Sequence, residues 1–292
     1  MIVAIYQGIQ WLWQSKKMLL IVYLINLLFG IVMVMPFRQA IAQFGGHSLL
    51  MQQMAGRFNM DFLMDFIVHE QNDLVIWGST LLVGTILYQL LQLFLSGGIY
   101  AVFLQQGQYT SETFWGNAAR YWGRFIRLFL WSLLLLAAIW GIVLFMKGFQ
   151  RLIWGKHPYE TVIYWNKVFR IVLLQLLLIV YFMVMDFSRL ITVHRNLTQM
   201  RRALTEGLRF VKQHPFTTIG LGIIFQILTA LALLVYNPIA NILHSPAWAV
   251  IFLLFVWQQL YMALRLTLRL TLYAAETAYL QNFSRAASLS AT

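Results

Sequence analysis

Residues 17–38 read KMLLIVYLINLLFGIVMVMPFR: twenty uncharged, mostly apolar residues stand between Lys17 and Arg38. A helix that crosses the hydrocarbon core of a bilayer needs about 20 such residues, because lipid offers its backbone no hydrogen-bond partners. The same reading finds uncharged runs of 38 residues between Asp73 and Glu112, 19 between Arg127 and Lys147, 15 between Arg170 and Asp186, and 52 between Lys212 and Arg265. The longest must hold two helices. Tyr236-Asn237-Pro238 and His244-Ser245-Pro246 are turn signals inside it, so two helices over about 216–236 and 246–268 are predicted, with Ser245 as cap and Pro246 at the first helical position. The 38-residue run predicts a helix over 74–95. Ser96-Gly97-Gly98 then permits a break or a close helix contact, and Ile99–Leu104 carries the helix past the membrane. The 15-residue run crosses only if Val168, Phe169 and Phe187 lengthen it and Arg170 snorkels outward. The chain therefore reads as one all-α integral membrane domain with six spans, near 18–37, 74–95, 128–146, 168–187, 216–236 and 246–268, and an outer loop over 38–73.

Composition supports this reading. Apolar residues make up 61% of the 292 and charged residues 10%, against about 25% charged in a soluble domain. The eleven Trp and thirteen Tyr suit the headgroup layer, where a ring with a polar tip is satisfied on both sides. With no Cys, disulfides, thiolate catalysis and Cys-ligated metals are excluded. The net charge of +12 sits beside apolar runs. It therefore points to anionic membrane lipids, at roughly 1 kcal/mol per Lys or Arg near the surface, and not to nucleic acid.

Counting Lys and Arg outside the runs gives a direction. With the N-terminus inside, fourteen lie on the inner side, including Lys16, Lys17, Arg120, Arg124 and Arg127, and seven on the outer side. Both termini are predicted to be cytoplasmic, in a bacterial inner membrane. Residues 147–170 dissent, with five basic residues on the outer side. The first apolar run followed by Ala40-Ile41-Ala42 also resembles a cleavable signal. Its length of about 20, where a signal core has roughly 7–15, favours a retained span.

Three spans are approached alike, by Gly8–Lys17, Asn117–Phe125 and Gly207–Pro215: a small residue, an aromatic and a basic break precede each apolar run. Leu190, Val193, Leu197, Met200, Leu204, Leu208 and Val211 fall at helical spacing, while Arg195, Arg202 and Arg209 recur every seven residues on another face. This pattern predicts a basic amphipathic helix in the headgroup plane. The unit would be an interfacial helix plus a transmembrane hairpin, used three times. Arg195, Arg202, Arg209, Lys212, Arg120 and Arg124 are the predicted lipid-headgroup contacts.

Candidate chemistry is sparse. Amphipathic helices are expected in the outer loop over 47–70, and 148–167 reads as an aromatic interfacial loop. His69-Glu70-x-x-Asp73 has metal-ligand spacing but lacks the second His of a zinc-protease motif, so an ordinary polar helix end is the better reading and no metal or cofactor is predicted. The mid-span polar residues Asn26, Gln89, Gln92, Gln175, Gln226, Gln258 and Gln259 are uncharged and suited to interhelical hydrogen bonds. No catalytic motif is present, and a non-enzymatic role is expected. The one charge cluster sits at the inner face: Asp186, Arg189, Arg265, Arg269 and Glu276. An acid at that depth is costly unless paired. Helix clamping is the expected role, with headgroup binding or proton relay as the functional alternatives.

Ser96-Gly97-Gly98-Ile99-Tyr100, Phe114, Arg120-Tyr121-Trp122-Gly123-Arg124-Phe125, Asp186-Phe187-Ser188-Arg189 and Arg201-Arg202-Ala203-Leu204 together resemble a broad group of uncharacterised bacterial six-helix membrane proteins. They are also similar to the membrane domain fused to some glycerophosphodiester phosphodiesterases. The resemblance covers about 95–215 and loosely the whole chain. It implies a bacterial inner-membrane protein. This chain carries no phosphodiesterase segment, so that activity is not implied. The expected role is organisation of membrane lipids, preferentially anionic, or of a protein partner or further copies of the chain. The alternative is a transporter or lipid-handling protein for a small or amphiphilic substrate.

Overall fold

A computed structural model describes residues 1–45, 71–155, 159–243 and 247–289, with Met60, Met64 and Val68. Every regular element among them is helical: α1 (Ile2–Gln14), α2 (Lys16–Gly45), α3 (Gln71–Leu104), α4 (Ser111–Trp154), α5 (Glu160–His194), α6 (Met200–Gln213), α7 (Pro215–Ile242) and α8 (Trp248–Leu289). Six of these, α2, α3, α4, α5, α7 and α8, are long and apolar enough to cross a membrane. Their flanks expose Leu24, Leu28, Leu82, Phe145, Leu234 and Phe252, a surface that water would not tolerate and lipid does. The chain is therefore a multi-pass membrane protein.

The elements differ from the sequence reading in three places. The short fourth run is embedded in the 35-residue α5, so that span reaches well past Arg170 in both directions. By contrast, α3 runs unbroken through Ser96-Gly97-Gly98 to Leu104, in agreement with the sequence reading that Ile99–Leu104 continues the helix. Asn237-Pro238 does not end α7; the helix passes through Pro238 to Ile242, and the Tyr236 carbonyl there accepts from the Trp257 indole N–H at 3.3 Å. The carbonyl that Pro238 frees is that of Leu234, four residues back, so the Trp257 bond is a separate tie between α7 and α8. The described part of α7 ends at Ile242 and α8 is described from Trp248; the predicted cap and helix start, Ser245 and Pro246, lie outside the described residues. The aromatic loop over 148–167 is also mostly helical: Trp154 closes α4, and Tyr164 and Trp165 lie in the first turns of α5. Between residues 46 and 70 only Met60, Met64 and Val68 are described, helical and exposed. The rest of the predicted outer-loop helices, His69 and Glu70 included, lies outside the described residues.

The chain divides into two compact units. The second comprises residues 16–95 and 227–270. Its spans are tied by three of the uncharged polar groups that the sequence singled out, together with Tyr23, which it did not: Gln92 donates to Asn26 Oδ1 at 2.6 Å, linking α3 to α2, and Tyr23 donates to Gln259 Oε1 at 2.7 Å, linking α2 to α8.

The first unit comprises residues 1–15, 96–226 and 271–292. It repeats one contact three times. A lead helix packs against the buried C-terminal tail of a spanning helix: α1 on α8, the first turns of α4 on α3, and α6 on α5. Each contact turns on a residue without room for a side chain. A Cβ at Gly8 would meet the Ala275 backbone at 2.7 Å; one at Gly97 would meet the Asn117 carbonyl at 3.0 Å; one at Gly207 would strike the Ser188 hydroxyl. The tails of α3 and α5 end alike. Gln106 and Asn196, ninety residues apart, both take positive φ, and the next residue closes back, Gly107 N–H to Val102 O at 3.0 Å and Leu197 N–H to Thr192 O at 3.1 Å. This is the Schellman closure of a helix end.

The threefold plan thus holds with two corrections. The middle lead is not a separate helix but the start of the 44-residue α4. The amphipathic stretch 190–211 is not one helix either: Leu190 and Val193 belong to α5, Arg195 sits at its C-terminal end, and α6 begins at Met200. Of the predicted stripe within α6, Met200 and Val211 are buried, Leu204 is partly buried and Leu208 is exposed; Met200 packs, with Ala203, against Leu128 of α4 and Met185 of α5. Protein covers most of it, and Leu208 stays open.

Candidate functional site: a buried polar centre and a basic rim

The three tails are the most deeply buried part of the first unit, and their polar side chains converge. Tyr100 of α3, Asp186 of α5 and Glu276 of α8 are 0%, 1% and 0% exposed. Asp186, Glu276, Tyr273 and Arg189 all act electrostatically on the Tyr100 hydroxyl, and the Tyr100 and Tyr273 rings lie 5.0 Å apart, centroid to centroid. Arg189 reaches Asp186 one turn back at 3.5 Å, an ion pair at a distance long for a charge-assisted hydrogen bond. Tyr100 Oη and Arg189 Nε are buried without a hydrogen-bond partner among the described residues. Helix geometry explains the placement. Asp186 and Arg189 share a face of α5 by their spacing of three, and the buried neighbours Ser188, Thr192 and Thr277 spend their hydroxyls on carbonyls four residues back.

The inner-face charge cluster read from sequence is therefore brought together in part. Asp186, Arg189 and Glu276 meet around Tyr100. Arg265 and Arg269 belong to the second unit, Arg265 exposed and Arg269 half-buried. Tyr100 enters the sequence reading only within the stretch Ser96–Tyr100 that carries the resemblance, with no role attached, and Tyr273 does not enter it. The signal for them was the tail position itself, since Tyr100 follows the close-packing Gly97-Gly98.

The lead helices and the α5–α6 turn carry a set of basic residues, termed the basic rim. Arg195 and Arg202 both pair with Glu206 at 2.9 Å, which compensates one of the two charges. Arg124 turns inward to the α5–α6 turn, donating to Asn196 Oδ1 at 2.8 Å and to the Leu197 carbonyl at 3.1 Å. The buried Tyr121 borders the same turn, its hydroxyl 3.4 Å from the Val193 carbonyl. Arg120, Arg201, Arg209 and Lys212 are exposed, and no carboxylate of the described residues lies within ion-pair distance of them. Among the described residues no group of three or more His, Asp or Glu has the arrangement of a metal site. Comparison with protein-family models, with curated proteins and with solved structures found no match to this chain.

Proposed function

We propose that the chain is a non-enzymatic, multi-pass protein of a bacterial inner membrane that gathers anionic lipids, with both termini and the lead helices on the cytoplasmic side. The observation that carries this is the uncompensated rim of Arg120, Arg201, Arg209 and Lys212 on helices that lead directly into apolar spans. Cations there sit at headgroup depth, where each contributes about 1 kcal/mol toward an anionic leaflet. The polar groups within the second unit's spans favour this over transport of a small or amphiphilic substrate. Gln92 with Asn26, and Tyr23 with Gln259, satisfy one another, as structural links do.

The test extracts the protein with its surrounding lipid in polymer-bounded discs and measures the lipid composition. The wild type should be enriched in anionic lipid over the bulk membrane. The triple variant Arg120→Gln, Arg209→Gln, Lys212→Gln should lose most of that enrichment. Equal enrichment in both, or none in the wild type, contradicts the reading.

A further inference from the structure

We propose that a cleft between α4 and the start of α6 is a binding site for the phosphate of an anionic phospholipid. The inference rests on the reading that this face meets anionic lipid, and narrows it from a basic surface to one site. The cleft measures about 550 Å³ and is lined by Arg127, Leu130, Trp131, Thr198, Gln199 and Arg201, among others. That size falls within the range of small-ligand sites.

Its chemistry is that of an anion site. Two guanidiniums line it, and no carboxylate does. Arg127 lies along its own helix, with Nε donating to the Gly123 carbonyl at 3.2 Å, which leaves its terminal nitrogens available. Arg201 is held over the Trp131 ring at 4.4 Å, a cation–π contact that fixes the fork in place. Its neighbour Arg202 is taken by Glu206; Arg201 is not. Two oriented guanidiniums match the tetrahedral oxygens of a phosphate better than lysines would, because each presents paired N–H donors. Thr198 and Gln199 add polar side chains from a turn that Arg124 already clamps, so little ordering is left to lose on binding.

The apolar wall selects an amphiphile over free phosphate. From Leu130 the exposed face of α4 continues through Leu133 and Leu134 into the uncharged run that begins at residue 128. A headgroup seated between Arg127 and Arg201 would lay its acyl chain along these leucines. Trp131 stands at the boundary, where an indole is favoured.

Native mass spectrometry of the full chain, released from bilayers of a zwitterionic and an anionic phospholipid, tests this. The wild type should retain one anionic lipid per chain. The double variant Arg127→Ala, Arg201→Ala should lose that occupancy by about tenfold or more, as expected for two charge-assisted contacts. Leu130→Trp, which fills the cleft without changing charge, should also displace the lipid, and it keeps the test decisive if the double variant folds poorly. The rim variant at Arg120, Arg209 and Lys212 should retain the lipid, so failure of the general lipid reading and failure of this site are distinguishable. Equal retention by wild type and both cleft variants would overturn the site. Displacement of the lipid by millimolar inorganic phosphate would overturn the phospholipid assignment in favour of a free phosphate.

Discussion

Tyr100 fills the middle of the first unit, with its hydroxyl facing two carboxylates and an arginine but lacking a hydrogen-bond partner among the described residues. A buried hydroxyl without a partner costs stability, whereas a phenyl ring of the same shape does not. Tyr100→Phe should therefore raise thermal stability by on the order of 1 kcal/mol. A clear loss in a melting experiment would mean that the hydroxyl pairs with a bound group and that the centre is a ligand site. At this scale the sequence was half legible. Asp186, Arg189 and Glu276 stood out because acids at such depth are rare, and they do converge. Tyr100 did not, because a tyrosine beside a membrane span reads first as an interfacial anchor. Arg124 and Arg195 read as headgroup contacts by position alone; their partners, a turn carbonyl and Glu206, belong to segments whose approach no local pattern encodes.

Among the elements, α6 shows how a shared pattern can have different consequences. Its apolar stripe and basic face are those of a helix lying on lipid, yet Met200, Ala203 and Leu204 pack against α4 and α5, with Leu208 left exposed. The deciding feature is Gly207, which lets the backbones of α5 and α6 approach closely: a Cβ there would sit 3.0 Å from Val184 O and Ser188 N. Gly207→Leu should destabilise the fold by about 1–3 kcal/mol or detach α6, as overpacking does. Gly116→Ala on α4, where nothing lies within 4 Å of the new Cβ, should be neutral or gain up to about 1 kcal/mol. Equal effects of the two in a thermal melt would show that α6 does not dock. Span existence was the most legible feature of all, because twenty apolar residues admit few alternatives in lipid. Boundaries were less so. Pro238 reads as a terminator by the rules of water-exposed helices, where a freed carbonyl and a clash are penalised, but the helix continues through it with Trp257 bonded nearby.

For the whole molecule, the threefold plan is the main result. Lead helices with similar chemistry at Gly8, Asn117 and Gly207 each dock on the tail of a spanning helix, and α1 on α8 joins the first part of the chain to the last. The sequence showed the leads but not their partners, since the tails share glycine or small-residue contacts and end geometry more than residue identity. The plan requires an even alternation of spans, so that the connections 105–110 and 195–199 lie with both termini on one side. The chain has no Cys, which makes the measurement direct. Single cysteines at Gln108, Thr198 and Ser284, and others at Tyr159 and Trp248, all exposed, can be probed with a membrane-impermeant maleimide on spheroplasts. The account predicts that Tyr159→Cys and Trp248→Cys label from outside, and that Gln108→Cys, Thr198→Cys and Ser284→Cys label only after the membrane is opened. Labelling of Thr198→Cys from the same side as Tyr159→Cys would contradict it.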